Sequence, residues 1–392
     1  MRWLSSKYTL AFLVLLFAST GFYVVARGYP QPGHIAVLLL TAPLLLNFKS
    51  IRLGLAEGLL LAFWLYSCVV NLTYWFEYQD PAFLVSMVYW TYGLALFFSV
   101  RQLMLNSPTL GAAWPYSLMT IIIVLLLLFL LGGDQFYVDR RFIGSFGDPN
   151  QMSYWLLCAF VASLLSTHKP RWFDGYGVLP IFVVILFLAF LAGSRSTLLA
   201  LGVVFVGLLG GLISGVQKDP ACIAGRNLSN RSPRRLIRMM GLLLALLLLS
   251  IYLLYQFNDN FTVAVDDFAR RMTTHNVEFQ LKIRGYTRLF EFPEYLIFGA
   301  GQGLDSRFIE PIDGHVFEVH SSIVSPLFYY GLVGFGLLFT SFYVMARDRL
   351  QRWQWFVFAG PFVYGLFTYG LRTPIFWLML ATLFTIAPKV KQ

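Results

Sequence analysis

Long apolar runs separated by short polar stretches make up most of the chain. A helix needs roughly 20 predominantly apolar residues to cross the hydrocarbon core of a bilayer. Runs of that order lie near residues 8–26, 34–48, 53–73, 81–100, 114–131 and 150–167. Six more follow near 178–193, 197–216, 239–257, 321–346, 354–370 and 374–388, the second and the last of the twelve being short. The pattern predicts an all-α polytopic membrane protein with about twelve transmembrane helices, residues 1–392 forming one membrane domain. The first run is long and has no small-residue cleavage site, so it predicts a retained helix and not a signal peptide.

One segment breaks the rhythm. Residues 258–320, between the ninth and tenth runs, are too polar to insert and too long for an idle connection. Phe279, Ile283, Tyr286 and Phe290 recur there at helical spacing. They predict an amphipathic helix on the membrane surface. On such a helix Arg284 and Arg288, four apart, share one face.

Composition sharpens the class. The chain is 58% hydrophobic and only 12% charged, whereas soluble domains are about a quarter charged. An ordinary cytosolic enzyme, a disordered tail and a fibrous repeat are excluded. The net charge of +10 is mostly topological, because cytoplasmic loops of membrane proteins carry excess Lys and Arg. With both termini inside, the inner segments take most of the basic residues against Asp174, Asp219 and Asp348 alone. The charge therefore indicates a lipid bilayer and no nucleic acid. Cys68, Cys158 and Cys222 lie far apart, so neither a disulfide framework nor a zinc site is indicated.

The basic residues left on the outer side are Arg27, Arg140, Arg141, Arg195, Arg270, Arg271, Lys282, Arg284, Arg288, Arg307 and Arg372, all but one arginine. The guanidinium fork binds phosphate oxygens bidentately and stays charged, so the set points to an anionic partner such as a lipid-linked diphosphate. Pairing with acids of the same segment is the plainer alternative. Arg195, in Leu191-Ala-Gly-Ser-Arg-Ser-Thr197, sits between two apolar runs. A charge there needs a partner or a wet cavity, unless it snorkels to the interface.

His320, in Glu318-Val-His-Ser-Ser322, stands where the polar segment enters the tenth run. The positive end of a helix disfavours imidazolium, so His320 should be neutral and able to act as a general base; a capping role is the alternative. His315, in Asp313-Gly-His315, is a second candidate farther from the membrane edge. Arg140 and Arg141 precede Asp148-Pro-Asn150, a helix-start signal, and form a candidate second wall of an anion site. Gly299-Ala-Gly-Gln-Gly303 looks like a phosphate loop, but no strand precedes it, so no nucleotide site is expected. Carboxylates and histidines at metal spacing are lacking, so neither a metal nor another cofactor is expected.

Taken in order, these pieces resemble the bacterial O-antigen ligase and O-antigen polymerase superfamily of membrane glycosyltransferases. The matching segments are Arg141-Phe-Ile-Gly-Ser-Phe-Gly-Asp-Pro-Asn150 and Gly193-Ser-Arg-Ser196. Arg284 and Arg288 follow, leading to Pro293 and Gly299-Ala-Gly-Gln-Gly303, then His320 and Tyr330-Gly-Leu-Val-Gly334. The resemblance covers roughly residues 140–339. It implies an undecaprenyl-diphosphate-linked oligosaccharide as donor at the periplasmic face of the inner membrane, without metal or nucleotide. It also implies a chain-length regulator protein as a further partner. Residues 258–320 then become part of the active site, with His320 as base and Arg195 with Arg284 or Arg288 on the diphosphate.

A ligase would move the glycan to lipid A-core, and a polymerase to another lipid-linked repeat unit. Ser321, Ser322 and Phe328-Tyr-Tyr-Gly331 look more like the polymerases. A transporter or flippase of lipid-linked sugars stays open as a different class. It should carry charge at the bilayer midplane, whereas Glu57 is the only acid the hydropathy pattern places inside a span and the basic residues collect at the outer face.

Overall fold

The computed structural model describes residues 7–25, 31–42, 53–213, 284–309 and 316–387, with scattered positions between 252 and 282. Most of the expected ninth span, most of residues 258–283, and Arg27, Arg271 and His315 lie outside the described residues.

Among the described residues the fold is helical apart from one small hairpin. In chain order come α1 (Lys7–Ser19), α2 (Pro32–Thr41), α3 (Leu55–Tyr78), α4 (Ala82–Asn106) and α5 (Ala113–Leu131). The antiparallel strands β1 (Tyr137–Val138) and β2 (Arg141–Phe142) follow, then α6 (Pro149–Leu165), α7 (Val178–Leu191) and α8 (Arg195–Ile213). The last helices are α9 (Arg288–Glu291), α10 (Val324–Arg347), α11 (Arg352–Gly365) and α12 (Pro374–Thr382).

Five helices among the described residues are long and apolar enough to cross a membrane: Leu55–Tyr78, Ala82–Asn106, Pro108–Leu131, Arg195–Ile213 and Val324–Arg347. Twelve were expected from the apolar runs, of which the ninth lies mostly outside the described residues. Four further apolar helices run to only 10–17 residues. The reason is that hydropathy counts apolar turns together with helix. The run at 354–370, for example, contains Pro361 and ends as helix at Gly365.

The chain divides into two compact units, and α11 contributes its first part to one and its second part to the other. The first unit holds residues 1–33, 110–274 and 351–360. Its most enclosed helix is α6, buried along nearly its whole length. Asp148 caps α6 by accepting from the N–H groups of Asn150 and Gln151, and Pro149 follows at the position where a missing N–H costs nothing. Phe17 stacks on Trp114 with centroids 4.5 Å apart, and Trp155 Nε1 donates to Thr20 Oγ1 at 2.8 Å. Glycines on α8 admit Trp353; a Cβ at Gly211 would lie 3.0 Å from the indole. Close approach over small residues is how helices associate where lipid removes the hydrophobic drive.

In the second unit, residues 34–109, 275–350 and 361–392, α3 packs along α4 and α10, and α4 against α12. Glu57, expected inside a span, occupies the first turn of α3. There it accepts from the Gly54 N–H and pairs with Arg101 of α4.

The helix α10 is interrupted at Gly331, whose φ of 63° and ψ of −174° leave the helical region. Residues 296–303 lie in the break. Leu332 N donates to Leu296 O at 2.7 Å, Ala300 N to Phe328 O at 3.0 Å and Gly301 N to Tyr329 O at 2.9 Å. Loop backbone thus bonds the interrupted part of the helix, as a segment shielded from lipid must.

Candidate functional site

The expected cations and His320 fall in different units: Arg140, Arg141 and Arg195 in the first, Arg284, Arg288 and His320 in the second.

In the first unit two motifs distant in sequence come together. Arg141 Nε donates to Ala192 O at 2.7 Å, and its Nη2 to Asn150 Oδ1 at 3.0 Å. Arg141 therefore ties the hairpin to the start of α6 and to the turn before α8. Arg140 is exposed at the hairpin turn with φ +62°. Arg195 opens α8, half-buried, beside a chain in which Thr197 Oγ1 lies 2.9 Å from Ser194 Oγ and donates to Ser153 Oγ at 3.0 Å.

In the second unit the glycine-rich loop is a structural lock. Gly299 has φ +92°, and a Cβ there would sit 2.3 Å from Tyr329 O. Arg307 clamps the loop, its Nη2 donating to Ala300 O at 2.8 Å and Gly303 O at 3.1 Å. The Arg307 guanidinium lies 4.6–5.0 Å from the rings of Tyr74, Tyr78, Phe83 and Phe308, an aromatic cage that suits a cation. Gln302 donates its backbone N–H to Asn71 Oδ1 at 2.8 Å. Its side-chain Oε1 accepts from Trp90 Nε1 (3.1 Å) and Tyr330 Oη (2.9 Å). These buried polar groups bind α3, α4, the loop and α10 to one another.

Arg284 and Arg288 take different environments. The expectation of one amphipathic helix presenting both on a shared face meets a break at Gly285, left-handed at φ +74°. A Cβ at Gly285 would lie 2.8 Å from Val319. Arg284 stands in that turn, and Arg288 begins the single-turn α9; Phe279 and Ile283 lie outside the described residues. Arg288 is 1% exposed. Its Nη1 pairs with Asp305 Oδ1 at 2.5 Å, and its Nη2 donates to Phe317 O. Tyr329 Oη donates to the same Asp305 oxygen and accepts from Val319 N at 3.0 Å. Arg288 thus holds the chain just ahead of His320.

Arg284 adjoins His320 directly. His320 N donates to Arg284 O at 3.2 Å, and the Arg284 guanidinium donates to Phe367 O. The half-buried Arg284 has its pKa lowered by burial. His320 itself keeps 47% of its side-chain surface accessible. Its pKa is nonetheless lowered, first by loss of solvating water and then by Arg372 and Arg284, against the opposing pull of Glu318 and Asp305.

The backbone on either side is pinned. Ser321 Oγ donates to Gly365 O at 3.1 Å and accepts from Val324 N at 3.2 Å, starting α10. Ser322 Oγ donates to Thr368 O at 3.1 Å and accepts from Gly370 N at 2.8 Å.

Glu318 had no role in the sequence reading, and Arg372 figured there only as one of the outer basic residues. Glu318 Oε2 pairs with Arg372 Nη1 at 2.6 Å, and Glu318 Oε1 lies 3.7 Å from His320 Nδ1. Arg372 also sits over the rings of Tyr369 (5.1 Å) and Tyr89 (5.4 Å). Its pKa is raised: burial alone would depress it, but Glu318 and the neighbouring tyrosines reverse the direction. The available signal was an arginine directly before Thr373-Pro374, at the start of an apolar run. Among the described residues no group of three His, Cys, Asp or Glu side chains converges on a metal-sized site.

The second unit thus gathers, at one end, a neutral-leaning imidazole, two half-exposed guanidiniums and a carboxylate on a backbone held from both sides. No family model matches the chain, and no curated protein matches it in sequence.

Proposed function

We propose that the protein is a membrane glycosyltransferase that polymerises lipid-linked oligosaccharide repeat units. In this reading it transfers the glycan from undecaprenyl diphosphate to a sugar hydroxyl of another lipid-linked unit. The twelve-crossing topology, with both termini cytoplasmic and the site on the periplasmic face of a bacterial inner membrane, belongs to the same reading.

The observation that carries it is the joining of His320 to Arg284 through one backbone hydrogen bond, with Arg372 nearby through Glu318. His320 takes the proton of the acceptor hydroxyl as its oxygen attacks the anomeric carbon. The bond from that carbon to the diphosphate breaks, and its electron pair goes to the leaving oxygen. A guanidinium stabilises the charge that develops there. In the second unit Arg284 fits that task, whereas Arg288 is buried on Asp305. Arg195 remains a diphosphate ligand on the sequence resemblance, and Arg140, Arg141 and His315 remain further substrate-binding candidates.

A ligase that delivers the glycan to lipid A-core shares the donor and differs in the acceptor. The residues that suggested a polymerase, Ser321, Ser322, Phe328, Tyr329 and Tyr330, are all buried. A carrier of lipid-linked sugars is favoured by one feature, the break in α10 at Gly331, since broken helices line transporter sites. Against it, the polar groups around the break bond to one another.

The test is reconstitution with a lipid-diphosphate oligosaccharide, reading products on a gel. A ladder grown from repeat units alone supports a polymerase, and product only on adding lipid A-core supports a ligase. Substrate movement across the bilayer without any product would overturn the enzyme reading.

A further inference from the structure

Glu318 lies two residues before His320, and its two oxygens are divided. Oε2 holds Arg372 at 2.6 Å, and Oε1 faces His320 Nδ1 at 3.7 Å. The backbone between them cannot shift freely. Val319 is fully buried with its N–H on Tyr329 Oη, and His320 N–H is on Arg284 O.

Arg372 is anchored from its own side. Gly370 N and Leu371 N donate to Ser322 Oγ at 2.8 and 3.3 Å, and Trp377 Nε1 donates to Leu371 O at 2.8 Å. Only the side-chain torsions of Glu318 and His320 remain to close the gap, and catalytic hydrogen bonds often tighten when substrate binds.

We infer that Glu318 is the positioning residue for His320, holding its ring with Nδ1–H toward the carboxylate and Nε2 toward the acceptor, while Arg372 fixes Glu318. The inference rests on the glycosyltransferase reading above. In the transfer step the acceptor hydroxyl proton moves to Nε2 and the new C–O bond forms. The bond to diphosphate breaks, and the imidazolium is stabilised by the carboxylate across Nδ1. Arg372 holds that carboxylate in place, and the ring proton is released to water after the products leave. The charged groups acting on His320 are Glu318, Arg372, Arg284 and Asp305. Of these, Glu318 is at once in contact with the ring and held by a second cation.

The experiment measures kcat, donor KM and their pH dependence for full-length protein in proteoliposomes. The variants are Glu318→Gln, Glu318→Asp, Arg372→Ala and His320→Ala. Expected for Glu318→Gln is a fall in kcat of about 10- to 100-fold, the scale of removing the carboxylate behind a functional histidine, with donor KM little changed. Its acidic limb should move to lower pH, because the group that favours imidazolium is gone. Arg372→Ala should move that limb to higher pH, and Glu318→Asp should restore part of the rate. Wild-type kcat and an unmoved limb in Glu318→Gln, with His320→Ala inactive, would overturn the inference alone. So would a Glu318→Gln defect confined to KM or to membrane abundance. Full activity in His320→Ala would instead overturn the glycosyltransferase reading.

Discussion

Arg101 and Glu57 form a buried ion pair in which Nε and Nη2 both reach Oε1, at 2.9 and 2.6 Å. The guanidinium also lies 4.6 Å over the Phe384 ring, and the second Glu57 oxygen caps α3 at Gly54 N. Removing one partner leaves a charge without water, a loss of about 3–5 kcal/mol. Glu57→Leu or Arg101→Met alone should therefore lower thermal stability in detergent strongly. The double variant should recover much of it, and a double variant no better than the singles would refute the account.

The two arginines near His320 should separate by phenotype. Arg288→Ala removes the cation paired with Asp305 and opens a buried site, so the folded amount in membranes should drop. Arg284→Ala should leave abundance near wild type while polymer formation is lost. Quantitative immunoblots run beside glycan gels distinguish the two outcomes; equal abundance for both would contradict the assignment.

Arg195 is tested by a conservative change. Lysine keeps the charge and loses the bidentate fork, so Arg195→Lys should be as inactive as Arg195→Ala at normal abundance. A fully active lysine variant would remove bidentate phosphate binding from its role.

The pH dependence has a definite sign. His320 accepts a proton only when neutral, so activity falls as pH drops through its pKa. Burial, then Arg372 and Arg284, place that pKa below the ordinary 6.5. The acidic limb of kcat should therefore have its midpoint below 6.5, and a midpoint above it would contradict this environment.

The glycine loop should tolerate no side chain. A Cβ at Gly331 would lie 2.2 Å from Ile297 O, and one at Gly299 2.3 Å from Tyr329 O. Neither neighbour is a flexible side chain, and both glycines have positive φ. Gly299→Ala and Gly331→Ala should each abolish folded protein, whereas Gly336→Ala, with nothing within 4 Å, should not. Size-exclusion profiles of detergent extracts report the difference.

Sequence and structure agree where a local rule governs. Asp148-Pro149 signalled a helix start, and Asp148 caps α6. Apolar runs marked helices but not their ends: α3 and α4 run on to Tyr78 and Asn106, while the run at 354–370 leaves the helix at Gly365. Helical spacing of Arg284 and Arg288 misled, because the left-handed turn at Gly285 depends on contact with Val319, which no local pattern reports. The pairing of Glu318 with Arg372 crosses more than fifty positions and two turns, so only tertiary structure brings it into view.

The lock at the break in α10 also sets an order of assembly. Tyr74 of α3 bonds to Gly299 across 225 positions, and Asn71 to the backbone of Gln302 across 231. During synthesis Asn71 of α3 and Trp90 of α4 must wait for these partners until the final third of the chain emerges. The end of the molecule that carries His320 therefore comes into being last. A chain cut short before α10 has no half-formed version of it.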